Sequence, residues 1–135
     1  MKLEKIQYSA LNARQRENFN YQKVAAELAE YGFVTHRLSD DWHGADFIAQ
    51  HVDGETFLKV QLKSRLTLAK KYLGKNLYIC FPYGKQWFLH PHDALADHLL
   101  GITGIGATSS WTATGLYTMG TISKSTLEHL QRYAL

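Results

Sequence analysis

Phe57-Leu58-Lys59-Val60-Gln61-Leu62-Lys63-Ser64-Arg65 is the stretch on which the reading of this chain turns. Polar and apolar residues alternate along it, the pattern of a strand with one buried face. Leu58, Val60 and Leu62 take that face, while Phe57, Lys59, Gln61, Lys63 and Arg65 share the other. The strand is expected over residues 55–65. Just before it, Asp53-Gly54 is a two-residue hairpin signal, and residues 46–52 read as the antiparallel partner strand. Both Asp46 and Lys63 lie far from that turn, so the pairing brings their ends of the two strands together. A lysine and an amide oxygen donor on one strand face, with a carboxylate beside them, form a polar constellation that a merely solvated strand does not need.

Outward from the hairpin, residues 12–31 read as an amphipathic helix stopped by Gly32. At about 100° per residue, Glu17, Tyr21, Val24, Leu28 and Tyr31 fall on one face. Glu17 is therefore expected along the apolar side, with Glu27 and Glu30 at the surface. Residues 33–38 form a short strand and 39–44 a polar connection, in which Asp40 and Asp41 read as loop residues able to reach the site. Residues 66–73 read as a short helix, 77–81 as a central strand, and 82–85 as a turn returned by 86–90. A helix follows from His92 or Asp93 through Leu100. Residues 101–120, rich in Gly, Ser and Thr, suggest an ordered loop with a short strand at 116–118. Ser125-Thr126-Leu127-Glu128 fits a capping box for a last helix whose buried side is Leu127, Leu130 and Ala134.

The chain has 135 residues, 45% of them hydrophobic and 13% aromatic, which suits one folded domain with its own core. Its single cysteine, Cys80, sits in an apolar run, which excludes an internal disulfide and fits a reducing compartment. No apolar stretch reaches the length of a membrane span and the first residues lack a signal-peptide core, so a cytoplasmic protein is expected. The net charge is +3. Its distribution says more: residues 56–92 contain no acid, yet hold Lys59, Lys63, Arg65, Lys70, Lys71, Lys75 and Lys85. Such a patch suits a phosphate backbone, with an ordinary solvated lysine face as the bland alternative.

Helix, strand, hairpin and strand, with acid, acid and lysine at these points, resemble the PD-(D/E)XK nuclease superfamily. The closer likeness is to members that carry glutamine at the second acid, giving Asp46…Gln61-Leu62-Lys63. The resemblance covers residues 12–90, with 91–135 as an extension of a single 1–135 domain, and it is a spaced pattern rather than a continuous signature. It implies an α/β fold of the restriction-endonuclease-like type, with a central mixed sheet flanked by helices. It further implies a Mg²⁺-dependent (or Mn²⁺-dependent) DNA endonuclease. Asp46 would be the principal metal ligand, completed by Gln61 and the backbone carbonyl of Leu62, and Glu17 matches a helical glutamate near the metal. Lys63 would activate water if deprotonated, or stabilise transition-state charge if protonated, and both roles stay open. Lys59, Ser64, Arg65, Lys70 and Lys71 are the expected DNA contacts. With no separate recognition domain in view, a homodimer on palindromic or branched DNA is a natural arrangement. Two departures stand out: Gln61 is neutral where an acid is commoner, and Gly44-Ala45 replaces the proline ahead of Asp46.

Other readings of the same residues remain. The alternatives to an endonuclease are an inactive DNA-binding module of this fold and, after it, an unrelated small α/β domain whose basic strand serves a protein or small-ligand interface. His90-Pro91-His92 has the look of a metal pair but reads better as a strand end and helix start, since it lacks a third spaced ligand. His43, beside Trp42, is a loop residue with a possible DNA contact. Cys80, Tyr78, Phe81, Trp87 and Phe88 read as packing. Trp111 and Tyr117 are the aromatics expected to face a partner.

Overall fold

The computed structural model describes residues 1–135, apart from the side chains of Asp41 and Trp42, so the reading of Asp41 lies outside what is described. Helix α1 (Ala13–Ala29) starts at Asn12, whose side chain accepts the Gln15 N–H while the Gln15 side chain accepts the Asn12 N–H, a closed capping box. Strands β1 (Phe33–Trp42), β2 (Ala45–His51), β3 (Phe57–Leu62), β5 (Leu77–Tyr83) and β6 (Gln86–Pro91) form a five-stranded sheet in that order. Only the β3–β5 pair is parallel, so the sheet is mixed. Strand β4 (Leu66–Ala69) pairs with β7 (Leu116–Met119) in a second, two-stranded sheet, and helices α2 (His92–Ile102) and α3 (Lys124–Leu130) complete the chain. The expected α/β class, with a central mixed sheet flanked by helices, is what the chain adopts.

Strand alternation divides the interior in two. Val60 and Cys80 face α1 and pack with Val24, Leu28, Phe47 and Ala49. Ile79 and Phe81, one residue out of phase, face the other way and pack with Leu68, Leu95, Leu99 and Leu130. Cys80 is buried, and loss of solvent pushes its thiol up to about 12, in keeping with packing rather than nucleophilic chemistry. Among the described residues, no helix is long and apolar enough to cross a membrane.

Several expectations are corrected. Residues 66–69 are a strand, not a helix, because all four side chains are buried and their backbone pairs with β7; a 3₁₀ turn at Lys70–Tyr72 follows. Strand β1 runs on past Leu38 to Trp42, through an irregularity after Arg37, into a tight turn where His43 and Gly44 both take positive φ. The last helix is capped by Ser123 rather than Ser125, its hydroxyl accepting from the Thr126 N–H. Trp111 does not face a partner: it is buried in the core, and Tyr117 packs against the same cluster. The strand expected at 116–118 is present as β7.

Candidate active site

Register is what builds the site. Phe47 pairs with Val60 and Gln50 with Phe57, and His51 N–H continues the ladder by donating to Thr56 O at 2.9 Å. Carried one step the other way, this register sets Asp46 opposite Gln61. It is the register that a turn centred on Asp53-Gly54 implies, although the connecting loop is looser than two residues. Asp53 holds that loop, its carboxylate accepting from Glu55 N–H and Thr56 N–H at 2.8 Å each and from the Thr56 hydroxyl at 2.7 Å. Those bonds hold the Asp53 carboxyl well below the usual carboxylate range.

Asp46 and Gln61 meet directly. The Gln61 amide nitrogen donates to Asp46 Oδ2 at 2.9 Å, and Leu62 N–H donates to the same oxygen at 2.8 Å. A carboxylate only accepts, so the amide must present its nitrogen here, which leaves its carbonyl oxygen Oε1 as the atom suited to a cation. Strand β3 ends at Leu62, so Lys63 lies just beyond it; its N–H still bonds Cys80 O at 2.8 Å, extending the β3–β5 pairing by one residue. The Lys63 ammonium sits 5.6 Å from the centre of the Tyr72 ring.

A cleft of about 380 Å³ opens between the first turns of α1 and the end of β3, lined by Tyr8, Arg16, Glu17, Asn20, Lys63 and Ser64. Glu17 and Lys63 both border this cleft, while the Lys63 ammonium itself is turned onto Tyr72. Glu17 is not on the apolar side as its helical phase suggests. Its side chain is 60% exposed and lies 3.7 Å from Arg37, a surface pair of little energetic weight. The physical reason is position: Glu17 stands one turn before Tyr21, and its carboxylate reaches the exposed Arg37 of β1 rather than the buried cluster around Val24 and Leu28. Arg16 and Asn20, which no motif in the sequence singles out, also line this cleft. Arg16 donates to Ser9 O at 2.9 Å, lies over the Tyr8 ring, and keeps a buried Nε without a partner.

The basic residues divide. Lys59 gives its ammonium to Lys75 O at 2.5 Å, an internal tie across the β3–β5 connection. Ser64, Arg65, Lys70 and Lys71 are exposed. Lys71 lies over the Tyr72 ring at 5.3 Å and Lys70 over Trp111 at 5.4 Å, so neighbours in sequence lean on different aromatics. His90 and His92 are both fully buried and turn apart: His92 Nε2 accepts from Ala69 N–H at 3.1 Å, and His90 Nε2 meets His129 Nε2 at 3.2 Å. Among the described residues, no three His, Cys, Asp or Glu side chains are grouped to hold a metal ion.

Neither a family model nor a curated protein matches the sequence. Among solved structures, the chain is similar to Hjc of Archaeoglobus fulgidus, a Holliday junction resolvase, at 16% identity and TM-score 0.45, over 56% of this chain and 72% of that one. It is also similar to a bacterial homing endonuclease, I-Ssp6803I, at 11% identity and TM-score 0.49, over 84% of this chain and 78% of that one.

Proposed function

We propose that the chain is a metal-dependent DNA endonuclease of the restriction-endonuclease-like type, with Asp46, Gln61 and Lys63 at its centre. The observation that carries this reading is the pair of hydrogen bonds that the Gln61 amide nitrogen and the Leu62 N–H donate to one oxygen of Asp46. Those bonds fix the carboxylate before any ligand arrives, and Lys63 is the next residue along the chain. Preorganisation of that kind is what a phosphoryl site needs.

The donors fit a hard cation. Asp46 carboxylate, Gln61 Oε1 and the Leu62 carbonyl are all oxygen, and Mg²⁺ takes one or two carboxylates while keeping several waters. Mn²⁺ accepts the same set. Bound there, the ion would supply positive charge to the phosphate and acidify a water. Glu17 would join only by leaving Arg37. Lys63 either takes the proton of the attacking water or stays charged against the phosphate oxygens as the P–O bond breaks. Ser64, Arg65, Lys70 and Lys71 would hold the flanking backbone, and two copies acting as a dimer would cut both strands of a symmetric or branched substrate.

Incubation with supercoiled, linear and branched DNA, in millimolar Mg²⁺ or Mn²⁺ and in chelator, tests the reading. Cutting that needs the metal is the expected result; no cutting of any substrate contradicts it. A second reading, DNA binding without cleavage, is favoured by one feature: Gln61 is neutral and its amide already satisfies Asp46. That reading expects salt-dependent binding to the same DNA with no product.

A further inference from the structure

Tyr72 belongs to no part of the motif, yet both halves of the motif meet on it. Its side chain is 3% exposed, within the core on the side of the sheet away from α1. Gly44, two residues before Asp46, runs so close that an added Cβ would lie 3.0 Å from Tyr72 Cε1 and 2.9 Å from Leu77 Cδ1. From the other strand, the Lys63 ammonium lies 5.6 Å from the ring centre, and Lys71 places a second ammonium 5.3 Å from it. Both distances fall within the reach of an aromatic quadrupole.

The ring is held from behind. His92 packs edge-on against it at 5.5 Å and 89°. Because His92 Nε2 accepts the Ala69 N–H, its proton must sit on Nδ1, which faces Asp93 Oδ1 at 3.1 Å. Asp93 Oδ2 accepts Gly74 N–H at 3.0 Å, so the segment on each side of Tyr72 is tied to the start of α2. A buried ring braced in this way is a fixed platform, whereas a lysine stem is flexible.

We propose that Tyr72 is a positioning residue that holds the Lys63 ammonium toward the reacting phosphate and directs Lys71 to the same place as a second cation. This rests on the nuclease reading above. Lys70, turned onto Trp111, contributes to backbone binding instead.

Replacing Tyr72 with phenylalanine and then with its mono-, di- and trifluorinated forms weakens the ring quadrupole while keeping its shape. In Mg²⁺-dependent cutting of supercoiled DNA, kcat should fall stepwise by about tenfold across the series, with KM within about twofold. Melting temperatures along the series report whether the core stays intact. Lys71→Ala should lower kcat, while Lys70→Ala should raise KM. A kcat that stays flat with fluorination, or tracks melting temperature instead, overturns the positioning role even where Lys63→Ala abolishes cutting. Absence of cutting by the unmodified protein overturns the nuclease reading, and this role with it.

Discussion

The Gln61 side chain donates to the Asp46 carboxylate at 2.9 Å, across the two strands that the 53–54 turn brings together. The contact joins a neutral donor to a charged acceptor. It is therefore satisfied without a metal, unlike a pair of carboxylates, which would repel each other in the same place.

We predict that Gln61→Glu reverses that balance. The new carboxylate loses the donor and adds a like charge beside Asp46, at a cost of roughly 1–3 kcal/mol in chelator. Mg²⁺ should restore more stability to this variant than to the unmodified protein, by mass action on the folded state. Thermal melts with and without millimolar Mg²⁺ check it; equal metal response in both proteins would count against a cation at Asp46.

Gly44 offers a test of geometry alone. Its φ is +88°, and a Cβ there would meet Leu77 and Tyr72 at 2.9–3.1 Å. Gly54, at φ +74°, has open space around it. Gly44→Ala should thus cost about 2–4 kcal/mol from backbone strain and overpacking together. Gly54→Ala carries the strain alone, about 1 kcal/mol. Urea denaturation of the two variants gives the difference directly, and equal losses would contradict the close approach at Gly44.

His90 predicts a pH dependence of stability. It is fully buried, and burial pushes its imidazole down to about 4, with the neighbouring His129 and His98 acting in the same direction. The unfolded chain, with an ordinary histidine value near 6.5, binds the proton first. Stability should be full at neutral pH, fall as pH drops below about 6.5, and level off near 4, with a loss on the order of 3 kcal/mol at most. His129 is also shifted down and adds to the same slope. Denaturant unfolding across this window, compared with His90→Leu, should show a shallower slope in the variant; identical slopes would remove His90 as the cause.

How much of this was legible beforehand depends on which force placed each residue. Asp46 beside Gln61 followed from a two-residue period and a turn dipeptide, both local in sequence, and the register came out as those signals imply. Glu17 shows the limit of helical phase: position 17 shares a face with Val24 and Leu28, yet its carboxylate stays exposed beside Arg37. Residues 66–69 misled for a different reason. A four-residue segment such as Leu66-Thr67-Leu68-Ala69 is too short to show a period of its own, and its pairing with the distant β7 makes it a strand. Tyr72 and Arg16 were invisible because their roles come from contacts between segments that no spacing encodes.

For the basic segment, we predict that Arg65→Ala and Lys70→Ala each weaken DNA binding and make the slope of log affinity against log salt shallower by about one. Lys59→Ala should leave that slope near its original value, since the Lys59 ammonium is bonded to Lys75 O. Fluorescence titrations of a labelled duplex at several salt concentrations separate the three. A Lys59 effect equal to that of Lys70 would show that the internal bond does not hold in solution.

The most direct measurement is the rate at which Asp46→Ala and Lys63→Ala cut supercoiled DNA in Mg²⁺, beside the unmodified protein under the same conditions. A loss of at least about a hundredfold in each, with DNA affinity and melting temperature largely kept, is the predicted result. Cutting that persists in both variants would contradict the assignment of this site.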